Sequence, residues 1–191
     1  MSETWKPGDR LVLRWFTPAD LDDLAALHGD PEVMRYIDDG RPVPRAVVEL
    51  ETLPGILREY EELPAGQGQF LAEAPDFVGW FSLKPASSIG LDGGIELGYR
   101  LRPAVWGRGI GTEGARLLVR RAFTELAVDR VVATTMTVNT GSRRVLEKAG
   151  LRHTRTFHVE WPDAIPGAEH GDVVYELTRA QWSAPVNQSP A

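Results

Sequence analysis

Cysteine is missing from all 191 residues. That excludes a disulfide framework, a thiolate metal site and a cysteine nucleophile. Histidine is scarce. His28, His153, His158 and His170 are the four, and none stands at a metal-ligand spacing such as H-E-x-x-H, so no metal is expected. Long apolar runs are absent too. None approaches the roughly 20 residues a membrane span needs, and the opening MSETWKPGDR has no apolar signal-peptide core. Positive charge is in deficit: 21 Lys and Arg against 27 Asp and Glu leave a net −6. That argues against a general nucleic-acid or anionic-membrane binder. The expectation is a cytoplasmic protein, monomer or homodimer, with no nucleic-acid or membrane partner.

What is present suits one globular domain with a sizeable core: 42% hydrophobic and 25% charged residues. Along the chain, RLVLRWF alternates as a strand. In TPADLDDLAALHGD, Thr17 or Asp20 can cap a helix that Pro18 suits at its first turn. PEVMRYID reads as a short turn or helix, and residues 44–63 as an acidic amphipathic helix that Pro54 and Gly55 kink or split. QFLAEA and DFVGWFSLK read as strands, then GIELGYRL as a strand with Ile95, Leu97, Tyr99 and Leu101 on one face. A glycine turn opens a helix reaching about Leu126, RVVATTMTV is a strand, and TGSRRVLEKAG is a helix closed by Gly150. RHTRTFHVEW and DVVYELTRAQW read as two last strands. The reading is one mixed α/β domain over residues 1–182 with a disordered tail, 183–191.

The glycine turn is WGRGIGTEG, residues 106–114. Gly109, Gly111 and Gly114 fit G-x-G-x-x-G, but a dinucleotide site needs a strand running straight into the glycines and an acid at the end of the next strand. Five residues intervene here, and the next strand ends at Val138 and Asn139 with no acid. The P-loop pattern G-x-x-x-x-G-K-[ST] is absent. The physics of the turn remains. Amides from Gly107 to Thr112 (Gly107, Arg108, Gly109, Ile110, Gly111, Thr112) can face an anion unobstructed at the glycines, and the helix adds its positive end. Arg108 can add charge. A helix start with glycines serving only a tight bend is the alternative.

From Glu96 to Leu151 the chain resembles the acetyl-CoA-binding core of GNAT-type N-acetyltransferases. The family pattern [QR]-x-x-G-x-[GA] corresponds to Trp106-Gly107-Arg108-Gly109-Ile110-Gly111. Trp106 departs from it, which predicts the loss of that position's polar work. ELGYRLRPAVWGRGIGTEG, followed by NTGSRRVLEKAGL, is similar to the RimJ/RimL-type branch that acetylates ribosomal-protein N-termini. The resemblance implies a central, mostly antiparallel sheet of about seven strands, splayed at the fourth and fifth, with helices on both faces. It implies acetyl-CoA as co-substrate and an amine acceptor, a small molecule or a peptide N-terminus. Tyr99, Arg100 and Leu101 are expected to offer backbone hydrogen bonds to the pantetheine arm, and Gly107 to Thr112 to hold the pyrophosphate. Asn139 either contacts the arm or caps the next helix. Ser142 either faces the thioester sulfur or is a helix-surface serine.

An amine of pKa near 10 must lose a proton before it attacks a thioester. Glu96, in the strand expected to border the thioester, is the first candidate for the base. A structural carboxylate is the other reading. The tyrosine that relatives carry seven residues after the asparagine is Leu146 here, and the glutamate five residues before it is Thr134. A thiol of pKa about 8.5 leaves as thiolate at pH 7 for about 2 kcal/mol, so Ser142, water or Tyr175 can stand in. Glu160, Asp163, Glu169, His170 and Asp172 form an acidic loop suited to a cationic amine. A module that binds acetyl-CoA without turnover is the rival class.

Overall fold

The computed structural model describes residues 4–5, 10–159 and 164–183. The elements are β1 (Thr4–Trp5), β2 (Val12–Trp15), α1 (Leu21–His28), α2 (Pro31–Met34), α3 (Arg45–Val47), α4 (Leu53–Glu62), β3 (Gly68–Glu73) and β4 (Phe77–Pro85). They continue as β5 (Ile95–Leu101), α5 (Ile110–Thr124), β6 (Arg130–Met136), α6 (Thr140–Lys148), β7 (Arg152–Phe157), β8 (Asp172–Thr178) and α7 (Arg179–Ser183). The strands form one sheet in the order β1-β2-β3-β4-β5-β6-β8-β7. The expected seven strands are there, and the two-residue β1 extends the edge.

Every pairing is antiparallel except β5 with β6. That parallel contact holds only at Ile95↔Val131 and Glu96↔Val132. Beyond it the strands part, because each stays bound to its other neighbour. All seven β5 residues pair with β4, and all seven β6 residues pair with β8. The sheet is thus two sub-sheets hinged at one short ladder, with a wedge opening toward Leu101 and Met136.

Two apolar layers cover the faces. Ile95, Leu97 and Leu101 pack with Ala115, Leu118, Val119 and Ala122 of α5 and Leu146 of α6. On the other face Phe16, Leu24, Leu27, Val33, Leu53, Ile56, Leu71 and Phe77 form a second cluster under α1, α2 and α4. Each such side chain, fully buried, contributes about 1.5–3 kcal/mol. Helix α5 lies close to β4 because position 114 is glycine. A Cβ there would stand 2.1 Å from the Phe81 ring. Gly114→Ala is therefore expected to destabilise by about 1–3 kcal/mol through overpacking, although alanine is the better helix former. Urea unfolding would read it; an unchanged or raised midpoint would contradict the packing argument.

One reading is refined and one is corrected. The helix over residues 44–63 is continuous, and its irregularity is a π turn at Val48–Thr52, just before Pro54. Pro54 has no N–H to return to the preceding turn, and the Leu53 N–H bonds Val48 O, five residues back. The last strand stops at Thr178 and RAQWS is helical. Thr178 and Gln181 form a reciprocal cap: the Thr178 N–H donates to Gln181 Oε1 at 2.9 Å and the Gln181 N–H to Thr178 Oγ1 at 3.2 Å. Gly150, at φ +98°, closes α6 as expected. Residues 184–191, nearly all of the expected tail, lie outside the described residues.

Candidate active site

The wedge has two faces, set by strand alternation. Continuing the β5–β6 register puts Gly98 level with Thr134 and Arg100 level with Met136. Glu96, Gly98 and Arg100 face α1, α2 and α4. Leu97, Tyr99 and Leu101 face α5 and α6.

On the α5/α6 side lies the glycine turn. Gly107 and Gly109 adopt φ of +73° and +84°, a region glycine enters freely. Nothing lies within 4 Å of where their Cβ atoms would be. Gly109 is the N-cap of α5, so the amides of Ile110, Gly111 and Thr112 lack intrahelical acceptors. Open space, free amides and the helix's positive end fit a pyrophosphate. The Arg108 amide is an exception to the expected row, since it donates to Val105 O at 3.3 Å. Gly111 also differs from expectation. A Cβ there would face inward, 3.2 Å from Val145 and 3.3 Å from Leu101, rather than the cradle. Trp106, expected to do no polar work, donates its indole N–H to Leu101 O at 2.9 Å. It ties the turn to the end of β5 while its ring stays 48% exposed.

Below the turn, the Tyr99 hydroxyl reaches across to α6. It lies 2.8 Å from Ser142 Oγ and donates to Ser142 O at 3.1 Å. Burial pushes the Tyr99 phenol well above its ordinary pKa, against the hydrogen bond to Ser142. Asn139 caps α6, its Oδ1 accepting the Ser142 N–H at 3.1 Å. Leu146 is buried core. Tyr175 is fully buried, and its hydroxyl donates to Glu147 at 2.7 Å and accepts from Arg143 at 3.1 Å.

On the opposite side Glu96 stands at the vertex, opposite Lys84 on β4. Burial raises its carboxyl pKa, and a 3.2 Å hydrogen bond from Ser88 and the Lys84 charge oppose the rise. Lys84 itself is tied to Glu59 at 2.5 Å. Further along, Tyr36, Asp38, Met136, Ile165 and Asp172 line a pocket of about 120 Å³. Of the acidic loop, Asp172 reaches this pocket, its carboxyl raised by burial against the His158 charge. Glu169 and His170 pair with each other at 3.6 Å. Glu160 and Asp163 lie outside the described residues.

Beside the pocket, Arg100 Nη1 lies 3.2 Å from both ring nitrogens of His28 and 3.3 Å from Met34 Sδ. Its guanidinium stacks over Trp80 at 5.4 Å. Burial, with the Arg100 charge, holds His28 down to about 3, so it is neutral. The sequence reading had only the Arg100 backbone in view, and it missed Asp38, His28 and the Tyr99 hydroxyl. Among the described residues no cluster fit to hold a metal occurs, and no helix is long and apolar enough to cross a membrane.

Residues 10–152 match the family model "Acetyltransferase (GNAT) domain". The chain belongs to this family and is an acetyl-CoA-dependent acetyltransferase. It is 37% identical over 161 residues to FsC-acetyl coenzyme A-N(2)-transacetylase of Aspergillus fumigatus, covering 80% of this chain and 67% of that one. Its fold is that of RimL, the ribosomal L7/L12 alpha-N-protein acetyltransferase solved with coenzyme A: TM-score 0.74 at 15% identity, covering 92% of this chain and 98% of that one. The aminoglycoside acetyltransferase AAC(6')-Ib, also solved with coenzyme A, gives a TM-score of 0.70 at 22% identity, covering 90% and 96%.

Proposed function

We propose that this cytoplasmic enzyme acetylates a primary amine, on a small molecule or a peptide N-terminus, by direct attack within a ternary complex. The carrying observation is the wedge with two unlike faces. An open amide cradle lies on the α5/α6 side, and a pocket with two carboxylates, Asp38 and Asp172, lies on the other. Amides from Gly107 to Thr112, Arg108 excepted, take the pyrophosphate. The edge of β5 at Tyr99, Arg100 and Leu101 takes the pantetheine, with Asn139 beside it on the far side of the gap. The acceptor enters over Tyr36 and Asp38, drawn as an ammonium by the carboxylates.

In this reading Glu96 removes the amine proton, directly or through one water. Its raised pKa makes it the stronger base. Backbone N–H groups along the splayed edge receive the charge that develops on the carbonyl oxygen. Ser142 donates a hydrogen bond to the departing thiolate, which takes its proton from water, and the Tyr99 hydroxyl 2.8 Å away orients Ser142.

Thiol release from acetyl-CoA against a panel of amines tests the proposal. Release only when an amine is present is expected. Acetyl-CoA should also raise the melting temperature, whereas NADH and ATP should not, because the turn has neither a ribose acid nor a P-loop lysine. Tight acetyl-CoA binding with no thiol release for any amine would favour a sensing module instead.

A further inference from the structure

Arg100 is a half-buried cation. Among the described residues it makes no ion pair. Its Nη1 is engaged by His28 and Met34, its Nε is buried with no hydrogen-bond partner, and its Nη2 makes no hydrogen bond among the described residues. Burial pulls its pKa down to about 10, opposed by the charge of Asp38. It is therefore still charged at neutral pH.

A fold rarely keeps a guanidinium in this condition for packing alone, since a buried charge is costly unless paired. Methionine or leucine would fill the space against Trp80, His28 and Met34 without that cost. The free atoms are also informative. Nε is sealed within the protein, whereas Nη2 has no hydrogen-bond partner among the described residues and is the donor left for a carboxylate oxygen. Neutral His28 holds the opposite side of the group and does not compete for an anion. The place is equally specific. Arg100 is level with Met136 across the wedge, on the acceptor side, and Met136 lines the pocket that holds Asp38 and Asp172. The extended register thus sets Arg100 next to the pocket that holds the two carboxylates, and the Asp38 charge acts on it.

Building on the acetyltransferase reading above, we infer that Arg100 anchors a carboxyl oxygen of the acceptor, so that the acceptor is an α-amino acid unit. The ammonium group is drawn to Asp38 and Asp172, and one oxygen of the carboxylate beside it accepts from Nη2. This orients the nitrogen toward the vertex where Glu96 lies. A plain alkylamine meets the carboxylates but leaves Arg100 unpaired.

The test compares matched acceptors in thiol-release kinetics: α-amino acids across a range of side chains, their amides, and the corresponding decarboxylated amines. For the best side chain, kcat/KM should fall from acid to amide to plain amine, by ten- to hundredfold overall, the worth of a charge-assisted pair. Arg100→Met should erase that ordering through the acceptor KM, and Arg100→Lys should restore part of it. Acetyl-CoA affinity, measured by calorimetry, should hold in both variants because only the side chain changes. Equal turnover of acid, amide and amine by the wild-type enzyme would overturn the anchor and leave the acetyltransferase reading standing. So would an Arg100→Met variant that slows all three alike. If Arg100→Met fails to fold, the wild-type series and Arg100→Lys decide the matter. Thiol release with no amine in any series would overturn both readings.

Discussion

Glu96→Gln is expected to lower the maximal rate by 10²–10⁴-fold at neutral pH, the usual cost of losing a general base. Acetyl-CoA affinity should stay near wild type, since the cradle lies at the other end of the wedge. Two pH signatures follow from the raised carboxyl pKa. The wild-type rate should climb as pH rises through the raised value, because only the carboxylate accepts a proton. The defect of the variant should shrink as pH approaches the amine's own pKa, where free amine is abundant. Stability should move the other way. A carboxyl whose folded pKa exceeds its unfolded value binds its proton more tightly when folded, so ionisation weakens the fold as pH rises past both values. Glutamine removes that penalty. The melting temperature of Glu96→Gln should equal or exceed wild type at pH 7, with the margin vanishing toward low pH. Loss of rate with retained stability marks a group kept for chemistry. A less stable variant with unimpaired turnover would make Glu96 a scaffold, held by Ser88 and Lys84, and leave water as the proton acceptor.

The architecture was legible where local patterns repeat. Alternation in GIELGYRL put Ile95, Leu97, Tyr99 and Leu101 on one face, and these residues do face α5 and α6. The splay was not legible from β5 or β6 themselves. It arises because each strand is fully paired on its outer side, a property of the whole sheet that only the family resemblance supplied. The site divided in the same way. The glycines of the turn were visible, but three glycines in six residues do different work. Gly107 and Gly109 carry positive φ under open space, whereas Gly111 lies between Val145 and Leu101. Spacing says nothing of which way a Cβ would point. The bond from Trp106 to Leu101 O closes over the short 3-10 turn Pro103–Val105, and no periodicity foretells it. His28, Asp38 and Arg100 come from a helix end, a loop and a strand far apart in sequence. One signal was available: alternation puts Arg100 in the middle of a buried sheet, on a face that an unpaired cation does not ordinarily occupy.

Gly109→Val should weaken acetyl-CoA binding at least tenfold while leaving the fold intact. Two effects combine. Valine at φ +84° is strained, by about 1–3 kcal/mol, so the turn relaxes and swings the first amides of α5 away from their common focus. Its side chain also enters the space now open above Gly109, displacing a phosphate from the helix end. Loss of one charge-assisted hydrogen bond is worth about 1.5–3 kcal/mol, which sets the tenfold floor. Two comparisons isolate the cause. Gly111→Ala directs its methyl at Val145 and Leu101, so it should alter melting temperature more than affinity. S-acetylpantetheine lacks the pyrophosphate, so its weak turnover should be nearly the same in Gly109→Val and wild type. If Gly109→Val instead weakens S-acetylpantetheine and acetyl-CoA by the same factor, the turn acts through the end of β5. Trp106, bonded to Leu101 O, would then be the link between them, and the pyrophosphate would be held elsewhere.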